Sequence, residues 1–279
     1  DRVRCADRGR LLPRGVMQSA ILVDKPSVAL DVFLRRYARI NTIDIDRAKD
    51  IIRYGIRNPY SPDAPGYLNE LCRRWYTSVD AGKPDFGIYD DDYYFADLWT
   101  CWITYSRGYI GGILKGRVKG SNLPISSLFS GVTSVADLGC GIGYTTAALA
   151  ELFPRASVYG TNIQATQQWA FASDMAGRYG FALAPHYDSI PTPVDLVVAS
   201  EYFEHFVDAP GEVDRTIRRL QPRMLYVANS FATYSLGHFM THEDIDGHPL
   251  SKKAVGKRFR EVLSDHGYSK RSTTLWNSK

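Results

Sequence analysis

A doubly wound α/β fold, with a mostly parallel sheet behind a helical N-terminal region, is the architecture this sequence predicts. Three observations point to it. From Ser27 to about Tyr105 the apolar residues follow helical spacing; from about Val132 onward short apolar runs alternate with helical segments; and the first of those runs ends in closely spaced glycines that open an Ala-rich helix.

The elements follow in order. Ser27 fits the N-cap of a helix carrying Val28, Leu30, Val32, Phe33 and Leu34. A second helix is predicted around Ile45 to Tyr54, Asn58-Pro59-Tyr60-Ser61-Pro62 breaks the chain, and Tyr67 to Tyr76 resumes helical character. Asp90, Asp91 and Asp92 stand where acids favour a helix start, ahead of the aromatic stretch Tyr93 to Tyr105. There Trp99, Trp102 and Tyr105 share a helix face, as core more often than as substrate wall. Gly111, Gly112, Gly116, Gly120 and Pro124 mark a connector, so the chain divides into a helical region over 17–125 and an α/β domain over 126–279. Strands are predicted at Ser157 to Thr161, Ala182 to His186, Val194 to Ser200 and Met224 to Ala228, with helices near Gly211 to Leu220 and Lys253 to Asp265 and a last strand-like run at Ser272 to Trp276.

Composition narrows the class. The 279 residues suffice for a substantial core, and no apolar run approaches the roughly 20 residues a bilayer requires. No charged-then-apolar segment opens the chain, so a cytoplasmic protein with no membrane partner is expected. The Arg-rich stretch Asp1 to Gly15 precedes the first methionine, Met17, and is set aside from the fold. Cys5, Cys72, Cys101 and Cys140 lack the spacing of a zinc site or a disulfide framework and read as free thiols. Residues 251–279 carry eight Lys and Arg against two acids, while the body from 17 to 250 is mildly acidic. Lys252, Lys253, Lys257, Arg258 and Arg260 fit either a phosphate-binding surface or the solvated face of a helix.

The decisive motif is Val135-Ala136-Asp137-Leu138-Gly139-Cys140-Gly141-Ile142-Gly143-Tyr144, between the first strand and a helix running to about Phe153. Glycines at a strand-to-helix turn let a ligand approach backbone amides without obstruction by Cβ atoms. The spacing is neither GxGxxG nor GK[ST]. It resembles motif I of the class I S-adenosylmethionine-dependent methyltransferases, a resemblance that runs from about Val132 to at least Leu263. The resemblance implies a Rossmann-like sheet, S-adenosylmethionine as cofactor, Asp137 near its methionine amino group, and room for it at Gly139, Gly141 and Gly143. Asn162 ends the second strand where relatives carry Asp or Glu for the ribose hydroxyls; it lacks their charge, so Asn162→Asp is expected to strengthen binding. Asp188, after the third strand, matches an acid near the adenine amino group, and reads equally as a turn former before Pro191. Relatives usually add a further antiparallel strand at the end, so an incomplete sheet or a truncated sequence is expected.

Ligands of open α/β sheets lie beyond the carboxyl ends of the strands, which points to Glu201-Tyr202-Phe203-Glu204-His205-Phe206 after the fourth. Glu201, Glu204 and His205 would share a face of a helix and are the candidate catalytic residues. Their pattern resembles the ExxEH of metal-assisted O-methyltransferases, which implies Mg2+ or Mn2+ held by Glu201, Glu204, His205 and a histidine of the next loop, His238 or His242. Without metal, His205 is expected as general base or substrate anchor. That loop, with Tyr234, Glu243, Asp244, Asp246 and His248, is dense in polar groups. The segment lacks the [DNS]PP[YFW] and Pro-Cys signatures of DNA methyltransferases. The expected activity is methyl transfer to a hydroxyl or other nucleophile of a small-molecule or nucleotide-containing acceptor, with the helical region capping the pocket. A catalytically silent binding module, or a nucleic-acid methyltransferase using the same pocket, is the alternative.

Overall fold

The computed structural model describes residues 26–56, 67–92, 94 and 128–278; the expected break at 58–62, the Trp99, Trp102 and Tyr105 stripe and the glycine connector lie outside them, as do Cys5 and Cys101. Three helices come first, α1 Pro26–Asn41, α2 Ile45–Ile56 and α3 Tyr67–Asp80. Ser27, the expected N-cap, is the second residue of α1 as it runs from Pro26. A single 3₁₀ turn follows at Phe86–Asp90, capped by Asp85.

The second part alternates as the sequence requires: β1 Ser134–Leu138, α4 Tyr144–Leu152, β2 Ser157–Thr161, α5 Gln167–Tyr179, β3 Ala182–Ala184, β4 Leu196–Ser200, α6 Ala209–Leu220 and β5 Met224–Ala228. A two-stranded ribbon, β6 His242–Glu243 with β7 Pro249–Leu250, precedes α7 Lys252–Asp265, β8 Tyr268–Lys270 and β9 Leu275–Ser278. Seven strands form one sheet in the order β3-β2-β1-β4-β5-β9-β8, parallel except that β9 runs antiparallel to both β5 and β8. The sheet is therefore complete, and the expectation of a missing strand is overturned. Gly267, at φ 81°, turns the chain directly from α7 into β8, and Ser272 Oγ accepts the Thr274 and Leu275 amides in the turn that returns β9 to β5. Two short strands thus occupy a stretch that reads as one. β3 also ends early, because His186 Nδ1 accepts the Asp188 amide and turns residues 187–189 into a 3₁₀ turn.

Alternation along the strands divides the interior. Val135, Leu196, Val198, Met224, Tyr226 and Leu275 face a core shared with α1, α2, α4 and α5. Ala136, Leu138, Val197, Ala199, Leu225 and Trp276 face the opposite core, with α6 and α7. A third cluster joins the helical region to the loop after β5, through Leu71, Cys72, Trp75, Ile88, Tyr89, Tyr94, Leu236 and Phe239. The basic residues of α7 lie on its exposed face, where Lys257 and Arg258 pair with Glu261, while Val255, Phe259, Val262 and Leu263 are buried. Among the described residues no helix is long and apolar enough to cross a membrane.

Candidate functional site

The carboxyl ends of β1, β2 and β4 open into a cavity of about 600 Å³, and residues from three separate parts of the chain line it. One end is built by the glycine turn. Gly139, Gly141 and Gly143 take φ of 65°, 54° and 84°, a left-handed path that side chains other than glycine adopt at a cost. Two of the three glycines also serve packing: a Cβ at Gly139 would lie 2.7 Å from the Tyr202 ring, and one at Gly143 would crowd Phe181, Met175 and Ala172. β2 fixes the turn from beside, as Thr161 accepts the Gly139 amide on its hydroxyl and the Cys140 amide on its carbonyl. Asp137 lines the cavity and is almost wholly buried; its Oδ2 accepts the Thr146 hydroxyl at 2.6 Å, and burial pushes its carboxyl up to about 7.

Asn162 also lines the cavity, and its amide is already engaged. Nδ2 donates to the Gly141 carbonyl at 2.6 Å and Oδ1 accepts the Ile163 amide at 2.8 Å, so the side chain braces the glycine turn. Asp188 stands apart: it is exposed, pairs with Arg219 and His186, and is not among the lining residues, whereas its neighbours His186 and Tyr187 are.

The other end gathers around β4. Glu201 adopts φ 52°, and the next turn is a 3₁₀ turn at Phe203–His205, so the helix face expected for Glu201, Glu204 and His205 does not form. The three diverge. Glu201 lines the cavity. Glu204 is fully buried, with Oε1 accepting the Ser230 amide and Oε2 accepting the Asn229 side-chain amide. Burial and the adjacent Glu201 push the Glu204 carboxyl up to about 8, and burial raises Glu201 as well, so the two carboxyls favour sharing a proton.

His205 lines the cavity with Nδ1 engaged by the Tyr89 hydroxyl at 2.9 Å and the Gly237 carbonyl at 3.0 Å. Burial, with His238 alongside, drives its imidazole down to about 3, so it is neutral at ordinary pH and a poor base. His238 is buried and donates from Nδ1 to the Thr233 carbonyl, which leaves the Nε2 lone pair 3.9 Å from Glu201 Oε2. Ligand atoms of Glu201, Glu204 and His238 lie within 4.8 Å of one another, without His205. His242 sits outside this group, buried, with Nδ1 against the Phe206 carbonyl.

The third contribution comes from the helical region expected to cap the pocket, through residues that the sequence does not single out at Phe86 and Tyr89 and through Tyr94 of the expected aromatic stretch. Phe86, Tyr89 and Tyr94, from beside the acidic run 90–92, line the cavity, and α3 holds the loop after β5 against it. Trp75 Nε1 donates to the His238 carbonyl at 2.8 Å, and the Tyr76 hydroxyl donates to the Ser235 carbonyl at 2.8 Å. Asn229 and Ser230, the partners of Glu204, were in principle findable, since they directly follow β5 at the carboxyl edge of the sheet.

Residues 136–225 match the model of a family described as a methyltransferase domain, a span that contains Asp137, the glycine turn, Asn162 and the turn from Glu201 to His205. The seven-stranded sheet and its flanking helices have the Rossmann-like arrangement of that fold. Similar solved structures include PigF with SAH, at 16% identity over 76% of this chain and 70% of that one (TM-score 0.49). An O-methyltransferase family protein from Burkholderia thailandensis is 11% identical over 92% and 88% (TM-score 0.47), and the mitomycin 7-O-methyltransferase MmcR is 14% identical over 93% and 74% (TM-score 0.43). We find no match among curated proteins.

Proposed function

We propose that this methyltransferase domain transfers a methyl group from S-adenosylmethionine to a hydroxyl of an acceptor bound toward Glu201 and His238. One observation carries the reading: a single cavity joins the glycine turn and Asp137 to Glu201 and His238. The cofactor fits the donor set at the first end. Asp137 is a buried carboxylate held near neutrality for want of a cation, and an ammonium group would stabilise its charged form. Gly141 allows close backbone approach, and Asn162 keeps that turn in place. When bound, S-adenosylmethionine supplies an electrophilic methyl group whose bonding pair stays with the departing sulfur.

The chain's own residues then orient the acceptor and receive its proton. Glu201 is the proton acceptor in this reading, because it faces the cavity while both oxygens of Glu204 are occupied by Asn229 and Ser230. His205 holds Tyr89 and Gly237 in place and takes no proton itself.

A second reading is favoured by His238. Two carboxyl groups and an imidazole lone pair converge with no donor between Glu201 and His238, an arrangement a divalent ion would satisfy in place of the shared proton. The backbone carbonyl on His238 Nδ1 fixes the nitrogen such an ion needs. Mg2+ or Mn2+ would suit two carboxylates, held by Glu201, Glu204 and His238.

Calorimetry with S-adenosylhomocysteine, followed by tritiated-methyl transfer to small molecules, RNA and DNA, tests the assignment. Binding with transfer is expected, and Glu201→Gln should lower turnover by about 10²- to 10⁴-fold without weakening that binding. No binding would identify a silent module. Activity that vanishes in EDTA and returns with Mn2+ selects the metal reading; full activity in chelator selects the proton-sharing pair.

A further inference from the structure

Among the described residues five large apolar side chains are exposed, and three of them, Phe86, Ile163 and Tyr234, line this one cavity. Ile163 follows Asn162 at the cofactor end. Phe86 and Tyr234 come from the other two segments, and each leaves about half its surface open, at 54% and 52%. Both rings are braced from behind. Phe86 meets the fully buried Trp75 edge-on at 5.7 Å and stacks with Tyr89 at 6.4 Å. Tyr234 stacks on Tyr76, with centroids 4.3 Å apart and planes 20° apart. Rigid aromatic surfaces held open to a cavity recognise flat rings at little entropic cost, since the protein side is already ordered.

Charge narrows the class of ring. Asp85, Asp90, Asp91 and Asp92 flank Phe86 and Tyr89 within eight residues. Arg74 pairs with Asp85, but Asp90 and Asp92 are held by neutral donors: the Gln167 backbone amide for Asp90, and the Tyr37 hydroxyl and Gln167 side chain for Asp92. Among the described residues no Lys or Arg lines the cavity, so a phosphodiester chain, whose binding depends on Lys and Arg neutralising phosphates, finds no counter-charge there. The exposed bases of α7 are partly spent on Glu261 and Asp265 of the same helix.

We propose that the acceptor is an uncharged aromatic alcohol, its flat ring held against Phe86 and Tyr234 and its phenol-type hydroxyl directed to Glu201. The proposal rests on the methyl-transfer reading and names its substrate class. In the reaction the hydroxyl oxygen forms the new bond to the methyl carbon as the methyl–sulfur bond breaks, the sulfur keeps that electron pair, and the hydroxyl proton passes to Glu201. A phenol suits a carboxylate acceptor, because it ionises near pH 10, about the value for tyrosine, whereas an aliphatic hydroxyl ionises far higher.

The test measures binding of phenol, 2-naphthol and 7-hydroxycoumarin to the full chain by saturation-transfer NMR and calorimetry, with and without S-adenosylhomocysteine. Decahydro-2-naphthol serves as the saturated control and a short RNA oligomer as the charged one. At least one aromatic probe is expected to bind, with decahydro-2-naphthol weaker by roughly 3- to 10-fold, the size of an aromatic contact. Phe86→Ala and Tyr234→Ala should each weaken the aromatic probe by a similar factor and leave S-adenosylhomocysteine affinity within about twofold. Phe86→Leu and Tyr234→Leu, which keep apolar bulk, should lose the preference for the flat ring over its saturated control. S-adenosylhomocysteine binding without any aromatic probe binding overturns this proposal and leaves the cofactor reading intact. Absence of S-adenosylhomocysteine binding overturns the cofactor reading and with it the acceptor assignment, whatever the aromatic probes do. Probe binding indifferent to both alanine variants, or RNA binding that depends on them, also overturns it.

Discussion

The two ends of the cavity are built by opposite strategies. At the cofactor end, β1, the glycine turn and α4 follow one another within twenty residues, and β2 adds Thr161 and Asn162 as its direct parallel neighbour. At the acceptor end Tyr89 lies more than a hundred residues before Glu201 and Glu204 and His238 more than thirty after them, and nearly every polar group there is satisfied by another segment: Glu204 by Asn229 and Ser230, His205 by Tyr89 and Gly237. A ligand cradle made of backbone conformation can be encoded locally. A charge cluster cannot, because its energetics depend on which distant groups share its burial.

That contrast can be broken most forcefully at Gly141. A Val there meets a left-handed φ inside the cofactor end, so S-adenosylhomocysteine affinity should fall on the order of 100-fold in a protein that still folds. Calorimetry beside a thermal melt checks it, and unchanged affinity would remove the cofactor end from its assigned role. A smaller change sharpens the local strategy. Asn162→Asp replaces the amide that donates to Gly141 with an oxygen facing an oxygen, so affinity should drop roughly 3- to 10-fold, the opposite of what the missing ribose acid suggests. Tighter binding would mean that Asn162 merely stands in for that acid.

The smallest effect probes both ends through pH. Glu204 and Asp137 both have carboxyls raised in the folded protein, to about 8 and about 7, so folding retains protons that the unfolded chain releases at lower pH. Their contribution is complete at pH 4 and below and is lost as pH rises through 7 and 8. Buried His205 and His238, lowered to about 3 and about 4, gain stability over the same range, so the carboxyl effect is read as a difference: between pH 5.5 and pH 8.5 the melting temperature of the ligand-free protein should fall by on the order of 5 °C relative to that of Glu204→Gln, which stays neutral. An equal slope in the variant would show that the acid pair carries no shared proton.

The same contrast explains what the sequence disclosed. β2, β5, the glycine turn and Asp137 were legible because strand periodicity and turn chemistry are short-range. Glu201, Glu204 and His238 were legible as residue types at the right edge of the sheet, but their division of labour was not. Whether His205 is a base depends on burial and on a neighbouring ring, and whether Glu204 faces ligand or protein depends on Asn229 and Ser230. Phe86 and Tyr89 were missed because a 3₁₀ turn carries no periodicity that distinguishes its lining residues. The final hairpin was missed because three- and four-residue strands leave too few alternations to read.

Helix α3 fastens the loop after β5 at two consecutive aromatic residues, Trp75 to the His238 carbonyl and Tyr76 to both the carbonyl and the amide of Ser235. Transplanting the helical region alone onto a related sheet would therefore detach His238 from its anchor. A chimera that keeps this geometry has to carry residues 233–239 together with α3, so that the transferable unit is this discontinuous pair rather than either stretch of chain by itself.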